Sequence, residues 1–417
     1  MGRSKTDIAL LFVTRIMRLF AYGFLSVVLA LYLAQVGLSE RAIGLLLTLT
    51  LVGDAGISLW ITTSADRIGR RPMLVLGATL MVFAGVALVL TNNPILLMFA
   101  AIIGVISPSG NEIGPFLSIE QAALSELLPN EQRTRVFAWY NLVGSFATAS
   151  GALSGGWLAQ ALQGSGVSPL ESYRAVLIGY AMCGVLLAVT FLFLSSSVET
   201  SASRLPAHRI LGLHGSRSVV IKLSALFALD AFAGGFVVQS LVAYWFHIKF
   251  GIEVGILGGI FFGANILAGI SALLAARIAA RIGLIKTMVF THIPSNVLLC
   301  LVPLMPSLPL AIGVFLLRFS ISQMDVPARQ SYTMAVVAPH ERSAASGVTT
   351  IARSVGASLA PALSGLFLAN PVLIGAPFMV AGGLKIIYDL SLYHSFQSLK
   401  PPEERASARK AHARDLE

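Results

Sequence analysis

Charged residues interrupt several long apolar stretches of this 417-residue chain. The acidic ones are Asp54, Glu112, Glu120, Asp230, Asp325 and Asp389, and the basic ones are Arg15, Arg18, Arg318, Arg329, Arg353 and Lys385. A charge at the centre of a bilayer costs about 2.5–3.5 kcal/mol on insertion scales, so these residues should be paired or face water. The chemistry that they offer is ion pairing, proton carriage and the binding of a charged solute.

The sequence carries no motif for covalent catalysis or for nucleotide hydrolysis. The patterns H-E-x-x-H, G-x-S-x-G and G-x-x-x-x-G-K-[ST] do not occur, so we predict neither an enzyme nor an ATP-driven pump. Cys183 and Cys300 lie in apolar runs, and His247 and His292 have no second ligand at helical spacing. We therefore predict no metal site and no cofactor.

The elements that hold these residues are predicted to be membrane-spanning helices. Hydrophobic residues make up 56% of the chain and charged residues 12%, and the mean hydropathy is +0.81. Apolar runs of about 20 residues, the length that a helix needs to cross a bilayer, recur along the whole chain. We predict an all-α integral membrane protein with twelve spans at 8–35, 41–64, 72–91, 95–127, 134–162, 173–194, 221–249, 254–276, 286–304, 309–337, 344–368 and 373–396.

The fourth predicted span is too long for one straight helix. It contains Pro108, Gly110, Gly114 and Pro115 near its middle. Proline removes a backbone donor and clashes with the preceding helical turn, so these residues predict a break or kink there.

The distribution of basic residues predicts the orientation of the spans. With the N-terminus inside, 20 of the 29 basic residues fall on the inner side, three fall outside and six lie within spans. Lysine and arginine in short loops stay on the cytoplasmic side, so we predict that both termini are cytoplasmic. The net charge of +10 then reflects topology, and no nucleic acid is predicted as a partner.

Four segments of the chain match later segments at nearly the same offset. Residues 18–24 align with 230–236, 66–69 with 280–283, 129–131 with 339–341, and 152–155 with 362–365. The offsets, 210 to 214 residues, describe a single duplication. We predict two pseudo-symmetric six-helix bundles at 1–194 and 221–396, a cytoplasmic central loop at 195–220 and a cytoplasmic tail at 397–417.

The segment Asp66-Arg67-Ile68-Gly69-Arg70-Arg71 resembles the major facilitator superfamily, whose loop motif G-x-L-a-D-R-x-G-R-R lies between helices 2 and 3. The degenerate second copy of that motif, between helices 8 and 9, matches residues 277–283. The resemblance covers nearly the whole chain, because the duplication and the cytoplasmic termini also fit it. It implies the major facilitator fold, with helices 1, 4, 7 and 10 around a substrate cavity.

We predict a gating role for the motif and its copy. The residues concerned are Asp66, Arg67, Gly69, Arg70, Arg71, Arg281 and Gly283. Asp66 could pair with a nearby arginine and accept from a helix N-terminus, and this polar clasp would hold the inner side closed. The alternative is a basic loop that serves topology alone. A contact between Glu120 and Arg329 at the inner gate is also predicted, with a structural role for both as its alternative.

Other polar residues are predicted to face substrate or protons. They are Arg18, Tyr22, Glu112, Asp230, Gln239, Arg318, Asp325 and Arg353. Arg18 and Asp230 occupy equivalent places in the two repeats, where they could pair directly, through the substrate, or as a fixed structural ion pair. Asp54 in helix 2 is a candidate for proton coupling or gating. Arg15 and Lys385 are interpreted as structural residues whose charged ends reach towards the membrane surface.

The predicted function is secondary active transport of a small organic solute by alternating access. Cavity carboxylates favour protons as the coupling ion, and three central arginines favour an anionic, zwitterionic or amphiphilic solute. Export is favoured over uptake, although both directions fit. The alternatives are a lipid or lysolipid flippase and a non-transporting sensor on the same fold. The predicted partners are the solute, protons and the lipid bilayer, and we predict a monomer in the inner (plasma) membrane.

Overall fold

The computed structural model describes residues 2–112, 114–199, 215–338 and 341–399, and their side chains except at 2–4, 66, 130–132, 134 and 343. The helices of the first repeat are α1 (Gly2–Ser26), α2 (Leu29–Gln35), α3 (Glu40–Ile68), α4 (Arg70–Leu90), α5 (Pro94–Ile103), α6 (Phe116–Leu127), α7 (Asn130–Gly164) and α8 (Pro169–Leu192). Those of the second are α9 (Arg217–Gly235), α10 (Gln239–Phe250), α11 (Val254–Ile282), α12 (Leu284–Leu301), α13 (Leu308–Phe319), α14 (Asp325–Val336), α15 (Arg342–Leu368) and α16 (Ala376–Phe396).

Each predicted span is occupied by one helix or by two consecutive helices with a break between them. The broken spans are the first (α1 and α2), fourth (α5 and α6), seventh (α9 and α10) and tenth (α13 and α14). Among the described residues, eight helical segments are long and apolar enough to cross a membrane, and α5 and α13 are shorter apolar helices. The predicted all-α membrane fold is confirmed, and its four broken spans are those that the family resemblance places around the cavity.

The break in the fourth span has the cause that the sequence predicts. Gly110 and Gly114 adopt positive φ angles of +69° and +81°, which favour glycine, and Pro115 immediately precedes α6. The Ser107 hydroxyl donates to the carbonyl of Asn111 at 2.7 Å and so satisfies one backbone acceptor of the irregular segment. The predicted break is confirmed, and this segment carries Glu112.

The described residues form two compact units. The first unit contains the first repeat together with 237–266 and 361–374. The second unit contains the remaining described residues of the second repeat: 215–236, 267–360 and 375–399. Apolar packing in the second unit centres on Phe227, Tyr332 and Tyr388, which are almost completely buried.

Glycine residues allow the first helix of each repeat to pack closely on the fifth span of that repeat. A Cβ atom added at Gly151 of α7 would lie 2.0 Å from the carbonyl oxygen of Phe20 in α1. In the second unit, a Cβ atom at Gly356 of α15 would lie 2.3 Å from the carbonyl oxygen of Ala228 in α9. The small residues at these places therefore let the helix backbones approach closely.

Candidate functional site

The loop motif begins α4 and binds two carboxylates. Gly69, with φ +118°, separates α3 from α4. The buried guanidinium of Arg70 donates to both carboxylate oxygens of Glu126 in α6, at 3.0 and 2.9 Å. Glu199, which follows a short 3-10 turn after α8, accepts from the backbone N–H groups of Arg70 and Arg71 at 2.6 and 3.1 Å. A carboxylate thus caps the positive end of the α4 dipole.

Other predicted residues of the motif and its copy make fewer contacts or lie outside the described part. The side chain of Asp66 falls outside the described residues, so its predicted clasp stays a prediction. Arg67 and Arg281 are exposed at the ends of α3 and α11. Gly283, with φ +90°, separates α11 from α12 as Gly69 separates α3 from α4. The two loops therefore share one backbone geometry. The contacts with Glu126 and Glu199 described above are made by the first loop.

Arg15, Arg18, Glu112 and Glu120 form the first ion cluster, which lies in the first unit. Arg18 donates from Nη1 and Nη2 to the two oxygens of Glu120 at 2.8 and 2.7 Å, and from Nε to Glu112 at 2.8 Å. Arg15 reaches the other oxygen of Glu112 at 2.8 Å. The hydroxyl of Tyr140 donates to Glu120. With two cations and two anions, this cluster is internally neutral.

Asp230, Asp325, Arg329, Arg353 and Lys385 form the second ion cluster, which lies in the second unit. Asp230 Oδ2 accepts from Arg329 at 3.0 Å and from Arg353 at 3.1 Å. Its Oδ1 accepts from Lys385 Nζ at 2.5 Å. Asp325 accepts from Arg329 at 3.0 Å. Three cations contact two carboxylates, so this cluster differs from the first in carrying more positive than negative charge.

In the two ion clusters, Arg18 and Asp230 have partners that the repeat alignment did not predict. Arg18 is held by two glutamates of its own unit, and Asp230 by three cations of its own unit. Likewise, Glu120 pairs with Arg18, and Arg329 pairs with Asp230. The predicted pairs Arg18–Asp230 and Glu120–Arg329 stay predictions.

The structure corrects the interpretation of Arg15 and Lys385 as residues whose charged ends reach towards the membrane surface. Both side chains are almost fully buried and make short ion pairs, with Asp230 and with Glu112 respectively. These pairs could not be predicted because each partner lies on another segment of the same unit, and the sequence of one helix does not show which segment packs against it. The signal available in the sequence was the pairing rule itself, since a mid-span cation needs an anion.

His292 of α12 and Asp389 of α16 form a further buried pair. His292 Nδ1 lies 2.9 Å from Asp389 Oδ1, and the Asn296 amide donates to Asp389 Oδ2 at 2.9 Å. Asp389 lies one helical turn after Lys385, so the pair adjoins the second ion cluster along α16. Sequence reasoning counted Asp389 among the buried acids but did not connect it with His292.

Asp54 differs from the other carboxylates within the spans. Its Oδ1 accepts from the Ser58 hydroxyl at 3.3 Å, and its carboxyl also accepts from the backbone N–H of Gly114. Glu112, Glu120, Asp230 and Asp325 each contact a lysine or arginine, and Asp389 contacts His292. Within the described residues no cation pairs with Asp54. A carboxyl with neutral partners can hold a proton without breaking an ion pair.

Tyr22 and Gln239 lie on the first and seventh spans, both within the first unit. Tyr22 is completely buried one turn after Arg18 and lies within electrostatic range of Arg18, Glu112 and Asp54. Gln239 donates to the Ser26 hydroxyl at 2.7 Å and accepts from the Asn265 amide at 3.3 Å. Tyr22 is therefore a buried neighbour of the first ion cluster, whereas Gln239 connects the start of α10 to α1 and α11.

This arrangement places buried ion pairs on broken spans, together with Asp54, whose partners in the described part of the chain are neutral. Within the described residues no group of histidine, cysteine or acidic side chains is arranged to hold a metal ion. The sequence did not single out Glu126, Glu199 and Tyr140 as contact residues, and it gave Arg15 and Lys385 no ion-pair partners.

Comparisons with known proteins agree with this architecture. Residues 11–361 match the sequence profile described as Major Facilitator Superfamily. The chain is 30% identical over 420 residues to the uncharacterized membrane protein YJR124C of Saccharomyces cerevisiae, an alignment that covers 93% of this chain and 94% of that protein.

Solved transporter structures share the fold. A bacterial homolog of the human lysosomal transporter Spinster, in an inward-facing and unoccupied conformation, has a TM-score of 0.69 at 17% identity and covers 94% of this chain and 95% of its own. The nucleoside transporter NupG has a TM-score of 0.73 at 13% identity and covers 94% of this chain and 99% of its own.

Proposed function

This chain belongs to the major facilitator superfamily, and we propose that it is a secondary active transporter that moves a small organic solute by alternating access. The observation that carries the proposal is the presence of a buried ion cluster on the broken spans of each repeat, around Arg18–Glu120 and around Asp230–Arg329. A buried ion pair is often no more stabilising than apolar packing of the same volume. Its placement on the broken spans favours a role in binding and conformational exchange.

The proposed cycle uses partner exchange between buried charges. Arg18, Glu120, Asp230 and Arg329 each hold a partner that could be replaced by another group of the same charge. Replacing one buried partner by another avoids leaving a charge uncompensated, which would cost about 3–5 kcal/mol. The Arg18–Asp230 and Glu120–Arg329 pairs are the exchanged state in this proposal.

Two sets of polar contacts are proposed as gates. On the proposed outer side, Gln239 binds Ser26 at 2.7 Å and Tyr244 donates to Glu40 at 3.0 Å. On the proposed inner side, the carboxylates of Glu126 and Glu199 hold the start of α4. Such contacts are individually weak enough to break within a transport cycle, because polar contacts contribute about 0.5–3 kcal/mol each.

Asp54 is the proposed proton carrier. Its partners among the described residues are neutral, the Ser58 hydroxyl and the Gly114 backbone N–H, so protonation breaks no ion pair there. It lies within electrostatic range of Glu112, which ties its charge to the first ion cluster. Coupling to protons therefore fits the geometry better than coupling to sodium, for which several oxygen ligands would be needed.

The proposed protein crosses the membrane several times, with both termini in the cytoplasm. The excess of basic residues in inner loops supports cytoplasmic termini, and the location that we propose is the inner (plasma) membrane. The duplication supports bundles at 1–194 and 221–396 that act as the two moving bodies, in a protein that is a monomer and not an enzyme. Export is the favoured direction.

Flux measurements in proteoliposomes test the proposal. The purified full chain is reconstituted and offered a panel of labelled anionic, neutral and cationic solutes, with and without an imposed pH gradient. We expect at least one class to move and its accumulation to follow the gradient. Movement of labelled phospholipid between leaflets without any solute flux would instead identify a flippase, and no movement of either would contradict transport.

A further inference from the structure

Three polar side chains of α12 and one of α16 lie together in a buried layer outside the two ion clusters. His292, Ser295 and Asn296 share one face of α12, since they are three or four residues apart. His292 Nδ1 lies 2.9 Å from Asp389 Oδ1 of α16, and the Asn296 amide donates to Asp389 Oδ2 at 2.9 Å. All four side chains are almost completely buried, and we call them the polar layer. Neither helix belongs to the four broken spans, so the polar layer stands apart from the residues proposed to exchange partners.

The packing of α12 on α16 leaves no room for a solute beside the polar layer. A Cβ atom added at Gly382 of α16 would lie 2.3 Å from Cys300 Sγ and 2.8 Å from the carbonyl oxygen of Asn296. The ring of Tyr388 packs edge-on to the ring of His292, with 6.1 Å between their centroids. A ligand of this layer must therefore be smaller than an organic solute, and a proton or a water molecule meets that condition.

Two oxygen atoms of the polar layer have no hydrogen-bond partner among the described residues. They are Asn296 Oδ1 and Ser295 Oγ, and both side chains are completely buried. Buried polar atoms of this kind ordinarily bind a water molecule. Asp389 already accepts from the Asn296 amide, so a second amide in place of His292 would be enough for its burial. The layer instead contains an imidazole, which is the side chain whose ordinary pKa, about 6.5, lies closest to neutral pH.

The His292–Asp389 pair lies close to the second ion cluster. Asp389 is within electrostatic range of Lys385 and Asp230, and His292 is within range of Asp230. The charged and titratable groups that lie inside the unit on the helices packed around this pair are Asp230 of α9, Arg318 of α13, Asp325, Arg329 and Tyr332 of α14, and Lys385 and Tyr388 of α16. The 3-10 turn Val302–Leu304, which also packs there, has no such group.

We propose that His292 and Asp389 form a proton-binding site in the second unit, separate from the proposed proton carrier Asp54 of the first unit. With Asp389 ionised, Nδ1 of His292 carries the hydrogen that it donates to Oδ1, and the added proton binds Nε2. The pair then changes from one net negative charge to none. This alters the charge beside the Lys385–Asp230 ion pair, and coupling between two such sites is reciprocal. The inference does not depend on which solute the protein moves.

The test follows the charge of His292 by nitrogen-15 NMR of the full chain, labelled in its histidines and reconstituted in phospholipid vesicles. The ring nitrogen shifts distinguish a neutral from a protonated imidazole. Histidine occurs seven times in the chain, and His292→Gln identifies the signal of His292 by its loss. If that variant does not fold, a variant in which the other six histidines are glutamine identifies the signal instead. We expect His292 to gain a proton in one transition between about pH 5 and 9.

Substitutions of the neighbouring charges connect this transition with the second ion cluster. Asp389→Asn removes the carboxylate that stabilises the protonated ring, so the midpoint should fall by about one pH unit or more. Lys385→Met removes a neighbouring positive charge, so the midpoint should rise by about 0.5 unit. The control is Lys222→Met on the exposed face of α9, which should leave the midpoint unchanged.

A His292 ring whose charge stays constant from about pH 5 to 9 would overturn the proposal. A transition that neither Asp389→Asn nor Lys385→Met moves would overturn it as well, and if Asp389→Asn does not fold, Lys385→Met decides. The site and the proposed transport fail separately. Solute flux without titration of His292 would leave the transporter standing without this site, whereas titration with no flux would do the reverse.

Discussion

Arg18 donates from both terminal nitrogens to the two carboxylate oxygens of Glu120, at 2.8 and 2.7 Å, and both side chains are completely buried. In the second repeat the same pair of spans is joined by Asp230 and Arg329 at 3.0 Å, with the acid on the first span and the base on the fourth. The two repeats thus use one architecture with opposite polarity. In each unit the charge on the first span is therefore paired within that unit, Arg18 with Glu120 and Asp230 with Arg329.

Removing one partner of the Arg18–Glu120 pair should destabilise the protein strongly. Arg18→Ala or Glu120→Ala leaves a buried charge uncompensated, so each should lower the free energy of unfolding by about 3–5 kcal/mol, while the double variant should lose less than the sum. Thermal unfolding of the four purified proteins measures this coupling. The same cycle for Arg18 and Asp230 should show a smaller coupling energy; an equal or larger one would favour the pairing that the repeat alignment suggested.

Lys385 should be required for the stability of the second unit. Lys385→Met removes the 2.5 Å partner of Asp230 but leaves Arg329 and Arg353 in place, so we expect a loss of about 2–4 kcal/mol. Thermal unfolding checks the value. The control Lys222→Met changes an exposed lysine of α9 and should stay within about 0.5 kcal/mol of the wild type. Equal effects of the two substitutions would contradict the role given to Lys385.

Gly151 should not tolerate a side chain. Gly151→Ala places a Cβ atom 2.0 Å from the carbonyl oxygen of Phe20, so α1 and α7 must move apart at a cost of about 1–3 kcal/mol or more. The matched control is Gly164→Ala at the end of the same helix, where an added Cβ meets nothing within 4 Å. Unfolding temperature should fall in the first variant and stay the same or rise in the second. A tolerated Gly151→Ala would show that the two helices are less closely packed.

The carboxylate of Glu199 should hold the start of α4. Glu199→Gln removes a charged acceptor from the Arg70 and Arg71 N–H groups, and should cost about 1–2 kcal/mol locally. Hydrogen exchange of the first turn of α4 measures the change, and Glu171→Gln, on an exposed ion pair, is the control. Unchanged exchange in α4 would contradict the capping role.

Asp66→Asn should slow transport without abolishing substrate binding, because the clasp predicted from the sequence would act on the conformational equilibrium and not on the substrate site. Binding affinity and flux are measured on the same reconstituted protein. A collapse of binding affinity with an unchanged equilibrium between the two access states would exclude the clasp.

The spans and the break in the fourth span were predictable because each depends on residues that are contiguous in the sequence. Apolar runs predict the helices, and the proline and glycine residues of 108–115 predict the interruption that holds Glu112. Partners were not predictable in the same way, because they depend on packing between helices that lie far apart in the chain. Lys385 illustrates this: its anion, Asp230, precedes it by 155 residues.

The equivalence of the two repeats could also be predicted from the sequence, but the ion-pair partners at the equivalent positions could not. Alignment placed Arg18 opposite Asp230 in sequence, and opposite charges at equivalent positions suggested a direct pair. The acids that bind Arg18 lie on the same repeat, in the broken fourth span. A repeat alignment gives equivalent positions, whereas the partner of a charge is decided by which neighbouring helix brings the opposite charge within about 3 Å.

The most direct measurement of proton-coupled transport compares two kinds of flux in proteoliposomes that contain wild type or Asp54→Asn. One is accumulation of labelled solute driven by a pH gradient, and the other is exchange of labelled for unlabelled solute with no gradient. We predict that Asp54→Asn abolishes gradient-driven accumulation and retains exchange, since the proposed mechanism assigns the proton, and not the solute, to this carboxyl. Glu253→Gln, an exposed acid before α11, should retain both. Gradient-driven accumulation by Asp54→Asn at the wild-type level would contradict the account.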